Sequence, residues 1–388
     1  MSIEELRKEN ELIDLFCSLA EIPSPSRKEE KVIDWICNYC KENNLNCEQD
    51  DYKNIYITIP ATDNTKEPIL LSSHLDVIGD DSPVIPYLEG DLIKAKGRTL
   101  GADDKAGVAN ALYFAKYLNK RTDLMHGGLE IHFTRDEEDS MSGIKNTDFN
   151  KINSKYVLVL DSDALGQCLV AGASYVMIDL KVNAPKGGHS GNDIGDPTRA
   201  NATKLIADLV SKLPQGVYYS ENGQVITSCN IGGIESGDVK VTNVINTDAH
   251  ATYSLRSSDK KKEDELIAKM QGIVDEFNKE QEGIATAEIT FTVKMPMFEK
   301  NDDEYMPILF ETVARKIGVE PEISSFHAGA ETHIYANKTN AKGERFSPYL
   351  LGLATVCNMH SAREYVDYKT MLKGQELLQA LFEAHNRN

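Results

Sequence analysis

Short apolar runs alternate with longer helical patterns over the first 172 residues of this 388-residue chain, and the alternation returns near its end. Strand-like runs separated by helices predict an α/β layer with a largely parallel sheet. We therefore expect a larger domain with a mostly parallel central sheet flanked by helices. The apolar runs read IYITI, PILLSS, LEIHFT, YVLVL and YLLGLATVC.

The rhythm changes after Gly172. Strand and helix patterns then follow in the order βαββαβ, which is the order of a ferredoxin-like split unit and makes a complete small α+β domain. After it the chain returns to α/β character. We therefore predict a larger domain formed by residues 1–172 and 295–388, with a smaller ferredoxin-like domain inserted as residues 173–294.

Ser26 and Glu29 stand three residues apart before a helical pattern that runs to about Asn43. This spacing is typical of a capping box, in which the two side chains bond the first free backbone N–H groups of a helix. We expect both side chains to serve as caps.

Composition excludes several classes of function. The chain has 42 Lys and Arg against 61 Asp and Glu, a formal net charge of -19, so it would repel nucleic acid and anionic membranes. The first residues carry charge throughout, which argues against a secretory signal, and no apolar run is long enough to span a membrane. Seven scattered cysteines indicate a reducing compartment, and we expect the protein in the cytoplasm.

Residue types that bind metals follow the apolar runs directly. Because ligands gather beyond the carboxyl ends of strands in an open α/β sheet, these side chains are expected at one edge. Each alone has a commoner structural explanation, such as a solvated charge run, a turn or a helix cap. Their joint placement favours a metal site. They are His74 and Asp76 after PILLSS, Glu137 and Glu138 after LEIHFT, Asp161 after YVLVL, His360 after YLLGLATVC, and Asp103 in the loop GADDKAG.

Imidazole and carboxylate groups are the ligands expected around hydrolytic zinc. Two zinc ions can share a bridging carboxylate and a water molecule that becomes a hydroxide near neutral pH. The chain offers five ligands, together with Glu137 as a separate base and Asp76 to orient the imidazole of His74. Cobalt and manganese also accept nitrogen and oxygen ligands and could replace zinc.

At these residues the chain resembles the zinc-dependent exopeptidases that include peptidase T, aminoacyl-histidine dipeptidase, carboxypeptidase G and succinyl-diaminopimelate desuccinylase. The resemblance implies that Asp103 bridges two zinc ions and that the peptide bond between Asp103 and Asp104 is cis. It also implies Glu137 as general base and acid, and Asp76 as an orienting residue. The segments that carry it are SSHLDV, LGADDKAGVA, TRDEED, VLVLDSDALG, NMHSAREYV and, in the insert, KGGHSGNDIGDPTRANA. The implied ligands are His74, Asp103 and Asp161 for one ion and Asp103, Glu138 and His360 for the other.

The resemblance also implies substrate contacts. His189 would stabilise the oxyanion, and Asn243 and Arg256 would bind substrate. The segment FHAGAETHIYA is closer to the dipeptidase-like members and places Glu331 where the ends of the substrate are bound. Without the resemblance, His189 is an ordinary loop histidine, Asn243 a turn residue and Arg256 a surface charge.

The resulting hypothesis is an aminopeptidase that releases the first residue of tripeptides or similar short peptides. A dipeptidase and an N-acyl-amino-acid amidohydrolase on the same metals are alternatives. An inactive peptide-binding relative is a further alternative from another class, although the base and every ligand are present. The resemblance leaves open a homodimer formed through the inserted domain, which would serve as a lid or dimerisation domain.

Overall fold

The structure is a computed structural model that describes residues 1–387. It divides into two compact units. Unit 1 comprises Met1–Val170, Lys300–Ser324 and the chain from Ala330 onward, whereas unit 2 comprises Ala171–Glu299 and Ser325–Gly329. The boundaries read from the sequence, 173–294, remain a prediction of where an independent domain begins and ends.

The first part of the chain forms six α-helices and eight strands. They are α1 (Ile3–Glu9), α2 (Glu11–Ala20), α3 (Glu30–Glu42), β1 (Asn46–Gln49), β2 (Ile55–Ile59), β3 (Ile69–His74), β4 (Pro86–Glu89), β5 (Leu92–Ala95), α4 (Ala102–Leu118), β6 (Leu129–Thr134), α5 (Glu137–Ser140), α6 (Ser142–Lys145), β7 (Tyr156–Val159) and β8 (Gln167–Gly172), with a 3-10 turn at Phe149–Lys151.

The middle part consists of β9 (Tyr175–Asn183), β10 (Gly188–His189), α7 (Ala202–Lys212), β11 (Gly216–Glu221), β12 (Gln224–Glu235), β13 (Val244–Ile245), β14 (Asp248–Ser257), α8 (Lys260–Glu280) and β15 (Thr286–Met295). The last part consists of α9 (Tyr305–Lys316), β16 (Glu322–Phe326), α10 (Thr332–Tyr335), β17 (Ser347–Leu351), β18 (Thr355–Cys357), β19 (Tyr365–Asp367) and α11 (Tyr368–His385).

The main sheet has eight strands in the order β1-β2-β6-β3-β7-β17-β8-β16. Its centre is parallel, because β3 pairs in parallel with β6 and β7, and β17 with β7. Strands β3, β6 and β7 are buried along their whole length, as expected for strands covered on both faces. The α/β fold class with a largely parallel central sheet is therefore confirmed.

Helix α4 lies in the core of unit 1 between α2, α11 and strand β3. After its first turn it is apolar on nearly all sides, which is typical of a helix without a solvent face. Its first turn is not regular: Asp103 and Asp104 have non-helical backbone angles, and the peptide bond between them is cis, as the resemblance implied.

A second sheet in unit 1 is antiparallel, with the strand order β18-β19-β5-β4. Strands β18 and β19 pair directly, with Cys357 opposite Tyr365, so residues 358–364 form the loop of a hairpin. This loop contains His360.

Unit 2 is built on a five-stranded antiparallel sheet in the order β11-β12-β14-β9-β15. Along β9 and β14 every second residue is buried, so one face of the sheet is covered, and helices α7 and α8 pack on these strands. The strand β11 and the short pair β10–β13 were not in the predicted βαββαβ order. No residue of β11 is fully buried, so the strand lacks the alternation on which a strand prediction depends.

Among the described residues, no helix combines the length and the apolar character that crossing a bilayer would require.

Two helical glycines allow a test of the packing. A Cβ atom on Gly374 of α11 would lie 1.7 Å from the backbone oxygen of Leu353, whereas a Cβ atom on Gly272 of α8 would meet nothing within 4 Å. We expect Gly374→Ala to destabilise the protein by about 1–3 kcal/mol or more, since overpacking forces backbone shifts. Gly272→Ala should stabilise it by about 0.5–1 kcal/mol. Thermal unfolding of the two variants checks both signs, and equal midpoints would contradict the packing described.

Candidate metal centre

Three neighbouring strands bring candidate ligands to one edge of the main sheet. His74 is the last residue of β3 and pairs with Thr134, the last residue of β6. Glu137 and Glu138 begin the next helix, α5, and Asp161 follows shortly after β7. Because these strands run in parallel and in register, the residues that follow them meet at their carboxyl ends.

Asp103 lies between two imidazoles. Its Oδ1 is 3.1 Å from Nε2 of His74, and its Oδ2 is 3.1 Å from Nε2 of His360. Asp161 lies on the His74 side, with Oδ1 3.6 Å from the same Nε2. Glu138 lies on the other side, with Oε1 3.0 Å from Nε2 of His360. The five residues predicted as ligands are thus in one cluster, with Asp103 at its centre.

The cluster concentrates negative charge in a buried place. Burial, and then the nearby Asp103, raises the pKa of Asp161 to about 7. Burial also raises the pKa of Glu138 to about 7, and its Oε1 is buried without a hydrogen bond of good geometry. Carboxylates in such surroundings need a cation. Potential ligand atoms of His74, Asp103 and Glu138 all lie within 4.8 Å of one another.

The imidazoles respond to the same charge. The hydrogen bond with Asp103 is the largest cause that raises the pKa of His360 to about 9. Burial alone would lower the pKa of His74, but Asp161 and Asp103 outweigh it and raise that pKa well above its ordinary value. A divalent cation can take the place of these protons, since metal ligands bind in their deprotonated form. The donor set of imidazole nitrogen and carboxylate oxygen therefore fits zinc, cobalt or manganese.

Asp76 contacts His74 mainly through its backbone. Nδ1 of His74 is 3.0 Å from the backbone oxygen of Asp76 and 3.4 Å from its carboxylate. The carboxylate instead accepts the backbone N–H groups of Glu137 and Glu138 at 2.9 and 3.1 Å, and the hydroxyl of Ser26 at 2.7 Å. Asp76 therefore fixes the start of α5 as well as the orientation of the imidazole.

The predicted capping box at Ser26 and Glu29 is wrong. Helix α3 has no side-chain cap, because both side chains have other partners. Ser26 donates to Asp76, whereas the fully buried Glu29 accepts the backbone N–H of Asp136 at 3.0 Å and pairs with Arg135. Glu29 thus holds the segment that carries Glu137 and Glu138, a role that no local motif indicated.

Glu331 is a buried carboxyl group of unit 1, and Glu137 is a partly buried one. Burial, followed by the charges of Asp161, Glu331 and Glu138, raises the pKa of Glu137 well above its ordinary value. Burial likewise raises the pKa of Glu331 to about 7. Ser72, on strand β3, donates to Glu331 at 3.4 Å. The surroundings of Glu137 therefore favour the protonated form of its carboxyl group more than water does.

His189 and Asn243 lie beside each other in unit 2. Strand β10 pairs with β13, so that His189 is opposite Val244, and the N–H of Ser190 donates to the backbone oxygen of Asn243 at 3.0 Å. Nδ1 of His189 accepts the N–H of Gly191 at 3.1 Å, which fixes the ring. The substrate roles of His189 and Asn243 remain predictions.

Arg256 also lies in unit 2, 4.8 Å above the ring of Tyr175. Its Nη1 is buried and has no hydrogen-bond partner. His327 was missed by the sequence analysis, although its segment was noted. Burial, and after it the charge of Arg256, lowers the pKa of His327, whose Nε2 lies 2.7 Å from Oγ of Ser228. Unit 2 therefore contains a cationic group with an unused donor.

Three comparisons with known proteins bear on this arrangement. Cytosol non-specific dipeptidase of Escherichia coli (strain K12) is 31% identical over 230 residues, which are 52% of this chain and 46% of that protein. Uncharacterized protein YqjE of Bacillus subtilis (strain 168) is 26% identical and covers 97% of this chain and 98% of its own. The crystal structure of aminopeptidase PepT from Bacillus cereus ATCC 10987 has a TM-score of 0.84 at 25% identity, covering 96% and 98% of the two chains.

The fold and the cluster define a metallopeptidase, a hydrolase whose candidate metal ligands lie at the carboxyl edge of an α/β sheet. Residues 70–384 match the sequence profile of Peptidase family M20/M25/M40. The chain belongs to this family, and the resemblance to peptidase T-like enzymes is confirmed.

The two backbone hydrogen bonds that Asp76 accepts should matter for metal binding. We expect Asp76→Asn to weaken zinc binding by about 10–100-fold, because the amide NH2 cannot accept one of the two backbone N–H groups at the start of α5. Ser26→Ala is the control, since it removes one hydrogen bond to the same carboxylate and should change zinc affinity much less. Zinc-induced shifts in the thermal midpoint measure both. Wild-type behaviour of Asp76→Asn would exclude the role described.

Proposed function

We propose that this protein is an aminopeptidase that uses two divalent metal ions to remove the first residue from tripeptides or similar short peptides. The observation that carries the proposal is the position of Asp103, which offers one carboxylate oxygen to each of two imidazole-containing groups. A carboxylate in this position is suited to bridge two ions. The similarity to the Bacillus cereus aminopeptidase supports the reaction class.

Each ion has its own set of ligands in this proposal. The first set consists of His74 and Asp161, at the ends of main-sheet strands, and one oxygen of Asp103. The second set consists of the other oxygen of Asp103, Glu138 and His360. Two bound zinc ions would polarise the scissile carbonyl and lower the pKa of a water molecule.

Glu137 carries the proton transfer. It directly precedes the ligand Glu138, but its carboxyl group belongs to neither ligand set. The raised pKa of Glu137 means that its carboxyl group can take a proton and then return it within one cycle, as a general base and acid must. Asp76 accepts the backbone N–H groups of both Glu137 and Glu138. The base and the ligand are therefore held at a fixed position relative to each other.

The residues of unit 2 bind the substrate. Arg256 pairs with the terminal carboxylate of the peptide, and its unpartnered Nη1 supports this assignment. A guanidinium group binds a carboxylate through two parallel hydrogen bonds, so the contact selects position as well as charge. His189 donates a hydrogen bond to the developing oxyanion, and Asn243 contacts the substrate next to it.

A dipeptidase is the second candidate, and one observation favours it. The segment FHAGAETHIYA resembles that of the dipeptidase-like members, and its buried Glu331 could bind the free amino group that dipeptides and tripeptides both carry. The similarity to the Escherichia coli dipeptidase covers half of the chain and supports the same candidate. An N-acyl-amino-acid amidohydrolase would have no amino group to bind. An inactive relative is disfavoured because all five ligands and Glu137 are in place. Cytoplasmic location and a homodimer remain predictions.

The two adjacent glutamates should separate catalysis from metal binding. Glu137→Gln should keep the metal content of the wild type and lose about 10²–10⁴ in kcat, or more, because it removes the general base. Glu138→Gln should lose metal, because it removes a ligand. Metal analysis of the two purified variants, together with tripeptide hydrolysis, makes the comparison. If metal content fell in Glu137→Gln and not in Glu138→Gln, the two roles would be reversed.

Arg256 should limit the enzyme to short peptides with a free carboxylate. Arg256→Ala and amidation of the substrate should each lower kcat/KM by roughly tenfold or more, because a charge-assisted hydrogen bond is worth about 1.5–3 kcal/mol. The two losses should not add, since each removes the same contact. Arg315→Ala is the control, because Arg315 is exposed and paired with Glu311 and Glu320.

The same assay on dipeptides, tripeptides, tetrapeptides and N-acyl amino acids separates the candidates. The proposal requires tripeptides to be the best substrates and N-acyl amino acids to be inert. Equal cleavage of amidated and free peptides would show that Arg256 does not bind the carboxylate.

A further inference from the structure

Two loops that carry candidate ligands leave the small antiparallel sheet at the same place. Strand β19 pairs with β5, with Tyr365 opposite Lys94. The hairpin loop 358–364 ends where β19 begins, and the segment that leads to Asp103 starts where β5 ends. The first loop contains His360 and the second contains Asp103. The distance between these two residues therefore depends on how the loops are joined.

Glu364 joins them. Glu364 is only 1% exposed. It follows His360 by four residues on the hairpin loop. Its Oε2 accepts the backbone N–H of Gly101 at 2.8 Å and the hydroxyl of Thr99, and its Oε1 accepts the backbone N–H of Asp103 at 3.2 Å. All three donors belong to the second loop. The Glu364 carboxylate thus accepts a hydrogen bond from the backbone of Asp103, the residue at the centre of the cluster.

The partners of the Glu364 carboxylate tie it to one loop. The charges of His360 and Lys105 also lie near Glu364, while its hydrogen bonds come from the second loop. A buried carboxylate depends strongly on the hydrogen bonds that it accepts. Since the donors of Glu364 are largely backbone groups of residues 101–103, displacement of that loop would leave the charge unsatisfied. The loop is therefore held to the hairpin that carries His360.

We propose that Glu364 is a positioning residue for the second metal ion: it sets the spacing between Asp103 and His360, which share that ion with Glu138. The inference rests on the proposed two-metal function. The first ion depends less on Glu364, because His74 ends strand β3 and Asp161 follows strand β7, so both are placed by the main sheet. Loss of Glu364 should therefore affect the two ions unequally.

Glu130 is a matched control for a purely structural role. It is also a buried carboxylate of unit 1, and it accepts the backbone N–H groups of Asn153 and Ser154 at 3.0 and 2.8 Å. These partners precede strand β7, whereas the candidate ligand Asp161 follows it. Glu130→Gln should therefore weaken the fold without changing either metal site.

Glu364→Gln is the informative substitution. Glutamine has nearly the same size, but its NH2 group cannot accept, so the N–H of either Gly101 or Asp103 loses its partner. Glu364→Asp keeps the charge but shortens the side chain by one methylene group. It therefore tests whether the carboxylate must reach the N–H groups of Gly101 and Asp103. It also serves as the second variant if Glu364→Gln does not fold.

The experiment is zinc titration of the metal-free wild type and of Glu364→Gln, Glu364→Asp and Glu130→Gln. Calorimetry gives the affinities, elemental analysis after desalting gives the stoichiometry, and the thermal midpoint is measured without metal. We expect two ions in the wild type and in Glu130→Gln. In both Glu364 variants the second ion should bind about 10–100-fold more weakly, with a smaller change for the first. Excess zinc should restore peptide hydrolysis in Glu364→Gln.

Each result decides a different point. If the wild type takes two ions and Glu364→Gln binds both as tightly, the positioning role is overturned while the proposed function stands. Equal weakening of both ions, or weakening matched by Glu130→Gln, makes Glu364 a residue that stabilises only the fold, and also overturns the role. If the wild type takes only one ion, the two-metal function itself is wrong and the role of Glu364 falls with it.

Discussion

The concentration of carboxylates around Asp103 is the constraint on which the rest of the site depends. Parallel strands that end at one edge bring acidic side chains together, and burial raises the pKa values of Asp161 and Glu138 to about 7. Burial and neighbouring charges disfavour the ionised forms of these carboxyl groups, and cations between them would stabilise those forms. The two imidazoles complete a ligand set that suits divalent metals. The same arrangement that costs stability without cations thus provides a metal centre.

Three further buried carboxylates hold the segments that carry the candidate ligands and the candidate base. Asp76, Glu29 and Glu364 are all buried, and each accepts backbone N–H groups of a segment that carries a candidate ligand or base. Asp76 and Glu29 fix the segment around Glu137, and Glu364 fixes the segment around Asp103. Backbone donors tie each carboxylate to a fixed point of its segment, and the side chains of Ser26, Arg135 and Thr99 add further bonds. Precision at the metal centre therefore comes from loops anchored by charge as well as from the sheet.

The sequence predicts the candidate ligands well, and it predicts poorly the carboxylates that hold their segments. His74, Glu138 and Asp161 follow apolar runs of strand length, so their position at one sheet edge can be read from the order of the chain. Glu29 and Glu364 bond backbone groups of Asp136 and Gly101, which are distant in sequence, and no local spacing reports such contacts. Ser26 and Glu29 show the limit directly: their spacing fits a capping box, yet tertiary partners take both side chains. Strand β11 escaped prediction because neither of its faces is well buried.

Anomalous diffraction from crystals of the zinc-loaded protein can show whether Asp103 lies between two metal ions. Data collected at the zinc absorption edge locate the ions independently of activity and of any assumed role. We expect two peaks about 3.5–4 Å apart, one on each side of the Asp103 carboxylate. His74 and Asp161 should lie beside one peak, and Glu138 and His360 beside the other. A single peak, or peaks that do not touch Asp103, would contradict the two-metal centre.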